Sequence, residues 1–163
     1  MSTRPSNNLV GASGEYFVCA ELCRLGYVAL LTPKNNPLFD VIASTEDGRN
    51  TLCIQVKTSS ISNQQGWKFG KSMTTPRGDN SLYVVLVSLN ADGMPDFYIY
   101  EHDTLAHIVE NNYKTYLAKP KRDGGQRKDV DFRWHDRKEF TVEDHNRKDN
   151  WDPILNHLGF MAK

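Results

Sequence analysis

The stretch PLFDVIASTEDGRNTLCIQVKTSS, Pro37 to Ser60, reads as two strands joined by a tight turn. The turn is Glu46 to Asn50, and its Asp47-Gly48 pair tolerates the positive φ that such hairpins need. On either side, Leu38 to Ser44 and Thr51 to Ser59 have the apolar content of strands. Side chains on a strand alternate faces, with a rise of about 3.3 Å per residue. Leu52, Ile54 and Val56 therefore share the core face, while Cys53, Gln55 and Lys57 share the other. Gln55 and Lys57 stand about 7 Å apart on an otherwise apolar strand. Burying an amide or an ammonium without partners costs several kcal/mol, so the pair either reaches water at an edge or is held there for chemistry. Asp40 on the adjoining strand completes a set of two oxygen donors and one ammonium. Such a set suits a divalent cation of the Mg²⁺ type, which takes hard oxygens: one or two carboxylates, with waters and phosphate oxygens.

Toward the N-terminus, Met1 to Asn7 is polar, contains a proline and reads as a loose arm. Asn8 is a suitable N-cap for a helix that runs to about Leu25 and is stopped by Gly26. At 100° per residue, Glu15 falls in the middle of the apolar stripe of Ala12, Val18, Cys19 and Leu22. Either its stem lies along the core edge and its carboxylate snorkels or pairs with a lysine, or it is an acidic group directed at the hairpin. Tyr27 to Thr32 is an apolar strand ended by Pro33, and the loop PKNNP follows. Lys34 in that loop is either solvated or within reach of a phosphate.

Toward the C-terminus, Ile61 to Asn80 shows little periodicity beyond a short WKF segment that suits a strand. Trp67 and Phe69 alternate with Lys68, so they either stack on bases or cover one end of the core. Ser81 to Leu89, SLYVVLVSL, is a strand to be buried on both faces. Asn90 to Pro95 turns the chain, Asp96 to Tyr100 returns as a strand, and Asp103 is placed to cap a helix that ends before Asn111 or continues to Leu117. Lys119 to Asn150 interleaves both charge signs, with Val130, Phe132, Trp134, Phe140 and Val142 as apolar anchors. It is either solvated surface or a phosphate-facing flap built from Lys121, Arg122, Arg127 and Lys128. A closing helix begins near Asp152-Pro153 and docks Trp151, Ile154, Leu155 and Leu158 on the sheet.

The 163 residues are expected to form one domain, since a second full domain needs more chain. Twenty basic and twenty acidic residues cancel. A global field for non-specific nucleic-acid binding is thereby excluded, but a locally positive site is not. Cys19, Cys23 and Cys53 read as reduced thiols of a cytoplasmic protein; a metal site on the first two lacks partners nearby in sequence. No apolar run approaches the roughly 20 residues of a membrane span.

Together, Gly14-Glu15 on a helix, a strand, Phe39-Asp40 and then IQVK (Ile54 to Lys57) resemble the PD-(D/E)XK phosphodiesterase superfamily, whose members include Holliday junction resolvases and Mrr-type restriction enzymes. The resemblance implies a restriction-endonuclease-like α/β fold, a mixed sheet of about five strands flanked by helices in the order α-β-β-β-…-β. It implies a metal-dependent nuclease acting on DNA, with Mg²⁺ or Mn²⁺ as cofactor and a possible homodimer. By that resemblance Asp40 matches the metal-binding aspartate and Lys57 the lysine that orients the attacking water. Gln55 takes the place of the second acidic ligand, Glu15 that of the helix glutamate of resolvase-like members, and the Val56 carbonyl that of a further ligand. Two departures stand out: glutamine replaces the second acid, as it does in Mrr-like members, and Phe39 replaces the proline before Asp40. An uncharged amide leaves room for the other expectation, a nuclease-fold binding or regulatory module without turnover.

Overall fold

The computed structural model describes residues 5–34, 36–91 and 93–159. Its elements are helix α1 (Asn7–Arg24), strands β1 (Val28–Leu31), β2 (Val41–Ser44), β3 (Thr51–Ser59), β4 (Gly66–Gly70), β5 (Leu82–Ser88) and β6 (Asp96–Glu101), helix α2 (His102–Ala118), strand β7 (Phe132–Asp136), and helices α3 (Val142–Asn146) and α4 (Asp152–Leu158). Five strands form one mixed sheet in the order β1-β2-β3-β5-β6, and β4 pairs with β7 in a second, two-stranded sheet. Within the large sheet only β3 and β5 run parallel. The architecture is the expected mixed α/β sheet flanked by helices.

Alternation along the central strand builds two cores. Val85 and Val87 of β5 join Leu52, Ile54 and Val56 of β3 under Val18 and Leu22 of α1 and Ile154 and Leu158 of α4. Val84 and Leu86 face the other way, against Leu105 and Val109 of α2 and Trp67 and Phe69 of β4. Each such side chain, fully buried, contributes about 1.5–3 kcal/mol. All seven residues of β5 are buried, which is what its unbroken apolar run implied. The turn of the β2–β3 hairpin also matches its reading: Gly48 has φ 70°, and Thr45 and Asn50 close the loop backbone to backbone at 3.1 Å.

Several local expectations are corrected. Ser6, not Asn8, caps α1, accepting from Leu9 N–H; Asn8 lies inside the helix, and the part of the expected arm from 1 to 4 lies outside the described residues. Asp103 is inside the first turn of α2 rather than its cap. Its carboxylate accepts from the backbone N–H of Arg77 and of Gly78, 2.8 Å each, and these bonds, with His102, hold its pKa down at about 2. Trp67 is 2% exposed and donates its indole N–H to the Val87 carbonyl, so it belongs to the core and is not a platform for bases.

The charged segment from 119 to 150 carries β7, α3 and a short 3-10 turn, and its pattern is inverted. Arg133 and His135 of β7 are buried, whereas Phe132 is exposed and Trp134 half-buried. The polar residues go inward because each brings partners. Arg133 lies 3.5 Å from the centre of the Tyr113 ring and pairs with Asp129 at 3.1 Å. His135 meets the Tyr100 hydroxyl at 3.2 Å, which donates to Asp144 at 2.8 Å.

Candidate active site

The site forms where β2 parts from β3. Their ladder ends at the Val41–Ile54 pair, with Asp40 N–H donating to the Ile54 carbonyl at 2.9 Å. One step further, the acceptor for Val56 N–H is not backbone but the Asp40 carboxylate, Oδ2 at 2.7 Å. Asp40 thus stands just before β2 rather than within it, and the bond that replaces the ladder fixes the carboxylate against the free edge of β3. Among the described residues Oδ1 accepts no hydrogen bond.

Glu15 arrives from the other layer. Gly14 is buried, and a β-carbon there would overlap the Thr58 hydroxyl, so only glycine lets α1 lie this close to β3. The next residue then faces the hairpin. Glu15, Asp40, Val56, Lys57 and Thr58 line one open cavity of about 360 Å³. A second cavity, of about 320 Å³, shares Glu15 and Asp40 and adds Lys34 from the loop after β1. The carboxyl of Glu15 is held above its ordinary pKa, first by burial and then by the negative charge of Asp40, with Lys34 opposing. Desolvation and a like charge are the two causes that raise an acid, and Glu15 has both. Glu15 lines the same two cavities as Asp40, the placement that the inward reading of the helix glutamate expects.

Gln55 does not line either cavity. It is half-buried on the face of β3 opposite Ile54 and Val56, level with Val84 of β5. Lys57 shares that strand face but lies two residues nearer the open end, where it reaches the cavity. Lys121, Arg122, Arg127 and Lys128 are elsewhere: Arg127 packs its guanidinium on Tyr116 and donates to the Lys119 carbonyl, and Lys128 borders a different cavity on the α2–β7 side.

Three contributors escaped the sequence reading. Thr58 carries a buried hydroxyl without a hydrogen-bond partner among the described residues, at the wall of the cavity. Asn7 and Gly11, in the first turns of α1, line both cavities. That end of the helix has no acidic residue in its first turn, so apart from the Ser6 cap the positive end of its dipole is not offset by charge and favours an anion. The unbroken NNLVGASGE run, with its acid only at the ninth position, was the signal.

The donor set fits a hard divalent cation. The Asp40 carboxylate lies close enough to raise the Glu15 carboxyl, and among the described residues no third His, Cys, Asp or Glu joins the two. Mg²⁺ is commonly held by one or two carboxylates and keeps several waters, so two acids and a carbonyl suffice. All three cysteines are free, and the Cys19 thiol is pushed up to about 11, chiefly by burial.

No protein-family model matches the chain, and no curated protein matches it. Two solved structures are similar in fold. One, a bacterial homing endonuclease, has 13% identity over 93% of each chain with a TM-score of 0.49. The other is Hjc, a Holliday junction resolvase from the archaeal hyperthermophile Archaeoglobus fulgidus, with 14% identity over 80% of this chain and 86% of that one and a TM-score of 0.43. No helix among the described residues is long and apolar enough to cross a membrane.

Proposed function

We propose that the chain is a divalent-metal-dependent nuclease that hydrolyses phosphodiester bonds of DNA, a branched or modified form included. The observation that carries the reading is the convergence of Glu15, Asp40, the Val56 backbone and Lys57 on one solvent-open cavity. Asp40, Glu15 and the Val56 carbonyl would hold Mg²⁺ or Mn²⁺, with Gln55 set back outside the cavity. The chemistry a bound ion supplies is a nucleophilic water at neutral pH and positive charge at the phosphoryl oxygens. Lys57 orients that water and offsets the charge of the transition state. Lys34 and the first turn of α1 receive the phosphate that flanks the scissile bond, one as a point charge and the other through backbone N–H groups. The resemblance to resolvases adds a homodimer, which light scattering reads directly.

Lys57→Ala tests the reading. Removing one preorganised charge at a developing oxyanion costs roughly 10²-fold or more in rate. With supercoiled, linear and four-way-junction DNA in Mg²⁺ and Mn²⁺, the variant should lose that factor while retaining DNA. Cleavage of every form at the wild-type rate refutes the assignment. Gln55 favours a second reading, a DNA-binding module of the same fold without turnover, since an uncharged residue outside the cavity weakens the ligand set. That reading requires wild-type DNA retention with no cleavage in either metal.

A further inference from the structure

On the far side of the molecule from α1, a cavity of about 310 Å³ opens between α2 and β7. Its volume is at the small end of the range that ligand sites occupy, room for one nucleotide rather than a helix or a peptide. Tyr116, Phe132 and Trp134 supply its aromatic walls. Tyr116 is 44% exposed and Phe132 38%, although rings of that size are normally covered. Trp134 has neither a ring nor a cation against it among the described residues, unlike Trp67 and Trp151, which both pack on aromatic neighbours.

Polar groups converge on the same space. Asn112 lines the cavity, and its buried Nδ2, which makes no well-formed hydrogen bond among the described residues, lies near enough to the Glu139 carboxylate to interact with it. Glu139 adds a carboxylate acceptor beside it, and Lys128 a cation at the rim. Further positive charge frames the opening: the Lys68 ammonium lies 4.0 Å above Phe132 and the Arg127 guanidinium 4.2 Å above Tyr116. A flat ring needs aromatic faces, a hydrogen-bonding edge needs donor and acceptor side by side, and a phosphate needs a cation near the mouth. All three are present within one cavity.

We propose that this cavity binds a single unpaired nucleotide, its base stacked on Trp134, its edge read by Asn112 and Glu139, and its phosphate met by Lys128. A phosphate-bearing base reaches it either as a free nucleotide or as an extruded or single-stranded residue of a longer strand. The assignment does not depend on the cleavage reading, because none of its residues lines the cavities around Asp40.

The test uses the full chain in EDTA, so that no metal chemistry enters. The four deoxynucleoside monophosphates, a short single-stranded oligonucleotide, and the same oligonucleotide with one abasic residue are titrated by calorimetry and by tryptophan fluorescence. Wild type should bind with quenching. Trp134→Ala should weaken binding roughly ten- to a hundredfold, the range for one stacked base, and Trp134→Phe should restore most of it. Asn112→Leu should narrow the preference among the four bases. Thermal unfolding of each variant separates a lost ring from a lost fold, and a Trp134→Ala that does not fold leaves the decision to Asn112→Leu and the abasic strand. Binding of the monophosphates as tight as the strand identifies a free nucleotide; tight binding of the intact strand alone identifies a residue within it. The proposal is overturned if no nucleotide or strand binds at millimolar concentration, or if the abasic strand and Trp134→Ala bind as wild type does. Lys57→Ala should bind here unchanged even when cleavage is lost.

Discussion

Gly14→Ala is the perturbation that reads most directly on how the site is held together. In an isolated helix the change is favourable by about 0.8–1.0 kcal/mol, because alanine loses less backbone entropy than glycine. Here the new methyl would overlap Thr58 Oγ1 and meet Thr58 Cβ and Cγ2 at 3.0 Å each. Overpacking of this kind costs about 1–3 kcal/mol, so the net is a destabilisation of roughly 0–2 kcal/mol. In a chain of this size about 1 kcal/mol moves Tm by about 2–4 °C. Thr58→Ala removes two of the three opposing atoms and leaves only the Cβ contact, which a shift of a few tenths of an ångström relieves. The double variant should therefore recover most of the helix gain, giving a coupling of about 1–2 kcal/mol in a double-mutant cycle of urea unfolding. Since α1 carries Glu15 toward Asp40, the single variant should also let the Glu15 pKa fall toward its ordinary value, followed by carboxyl NMR. If Gly14→Ala stabilises equally with and without the Thr58 side chain, the close packing of α1 on β3 is wrong, and with it the route by which Glu15 reaches the cavity.

Glu15→Gln should raise the stability of the metal-free protein near neutral pH. A folded pKa above the unfolded one means the group contributes below the unfolded pKa, about 4.3, and that the contribution is lost as pH rises through the folded value; urea midpoints between pH 4 and 8 should diverge in that direction, and Mg²⁺ should close the gap. Asp144→Ala should cost about 3–5 kcal/mol by chemical denaturation, because it strips the buried Tyr100 hydroxyl and His135 of their common acceptor. The Asp144 carboxyl lies well below the ordinary range, its burial outweighed by the hydrogen bonds from His135, Thr141 and Tyr100. Its contribution is therefore complete above about pH 4 and drains away as pH falls further, so the variant's acid unfolding should be flatter than wild type's by circular dichroism.

The large sheet was legible because its strands are patterned by their own burial. β5 is apolar throughout and central, β3 alternates and has one polar face, and the Asp-Gly turn fixes their hairpin neighbour. The β4–β7 sheet was not legible. Periodicity counts Phe132 and Trp134 as anchors, and nothing local in FRWHD says that Arg133 will find Asp129 and Tyr113, or that His135 will find Tyr100 and Asp144. Those partners are supplied by other elements, and a buried charge is affordable only after they arrive. The same asymmetry divides the sites. Asp40 and Lys57 could be located because each interrupts an apolar strand, whereas the α2–β7 cavity takes Asn112 from a helix and Trp134 from a strand whose facing is set by its inverted neighbours.

That inversion links packing to exposure. On a strand, sending Arg133 and His135 inward obliges Phe132 and Trp134 to point outward, since side chains alternate. Exposed aromatic rings cost the free protein hydration that a conventional register would have spared. The inward residues recover part of it through their contacts with Asp129 and Tyr100, yet Arg133 Nε and His135 Nδ1 are still buried without partners among the described residues. Aromatic faces turned to solvent are a poor solution for stability alone. They are a consistent one for a surface shaped to take a flat ring, which offers the exposed faces the partner that the folded chain withholds.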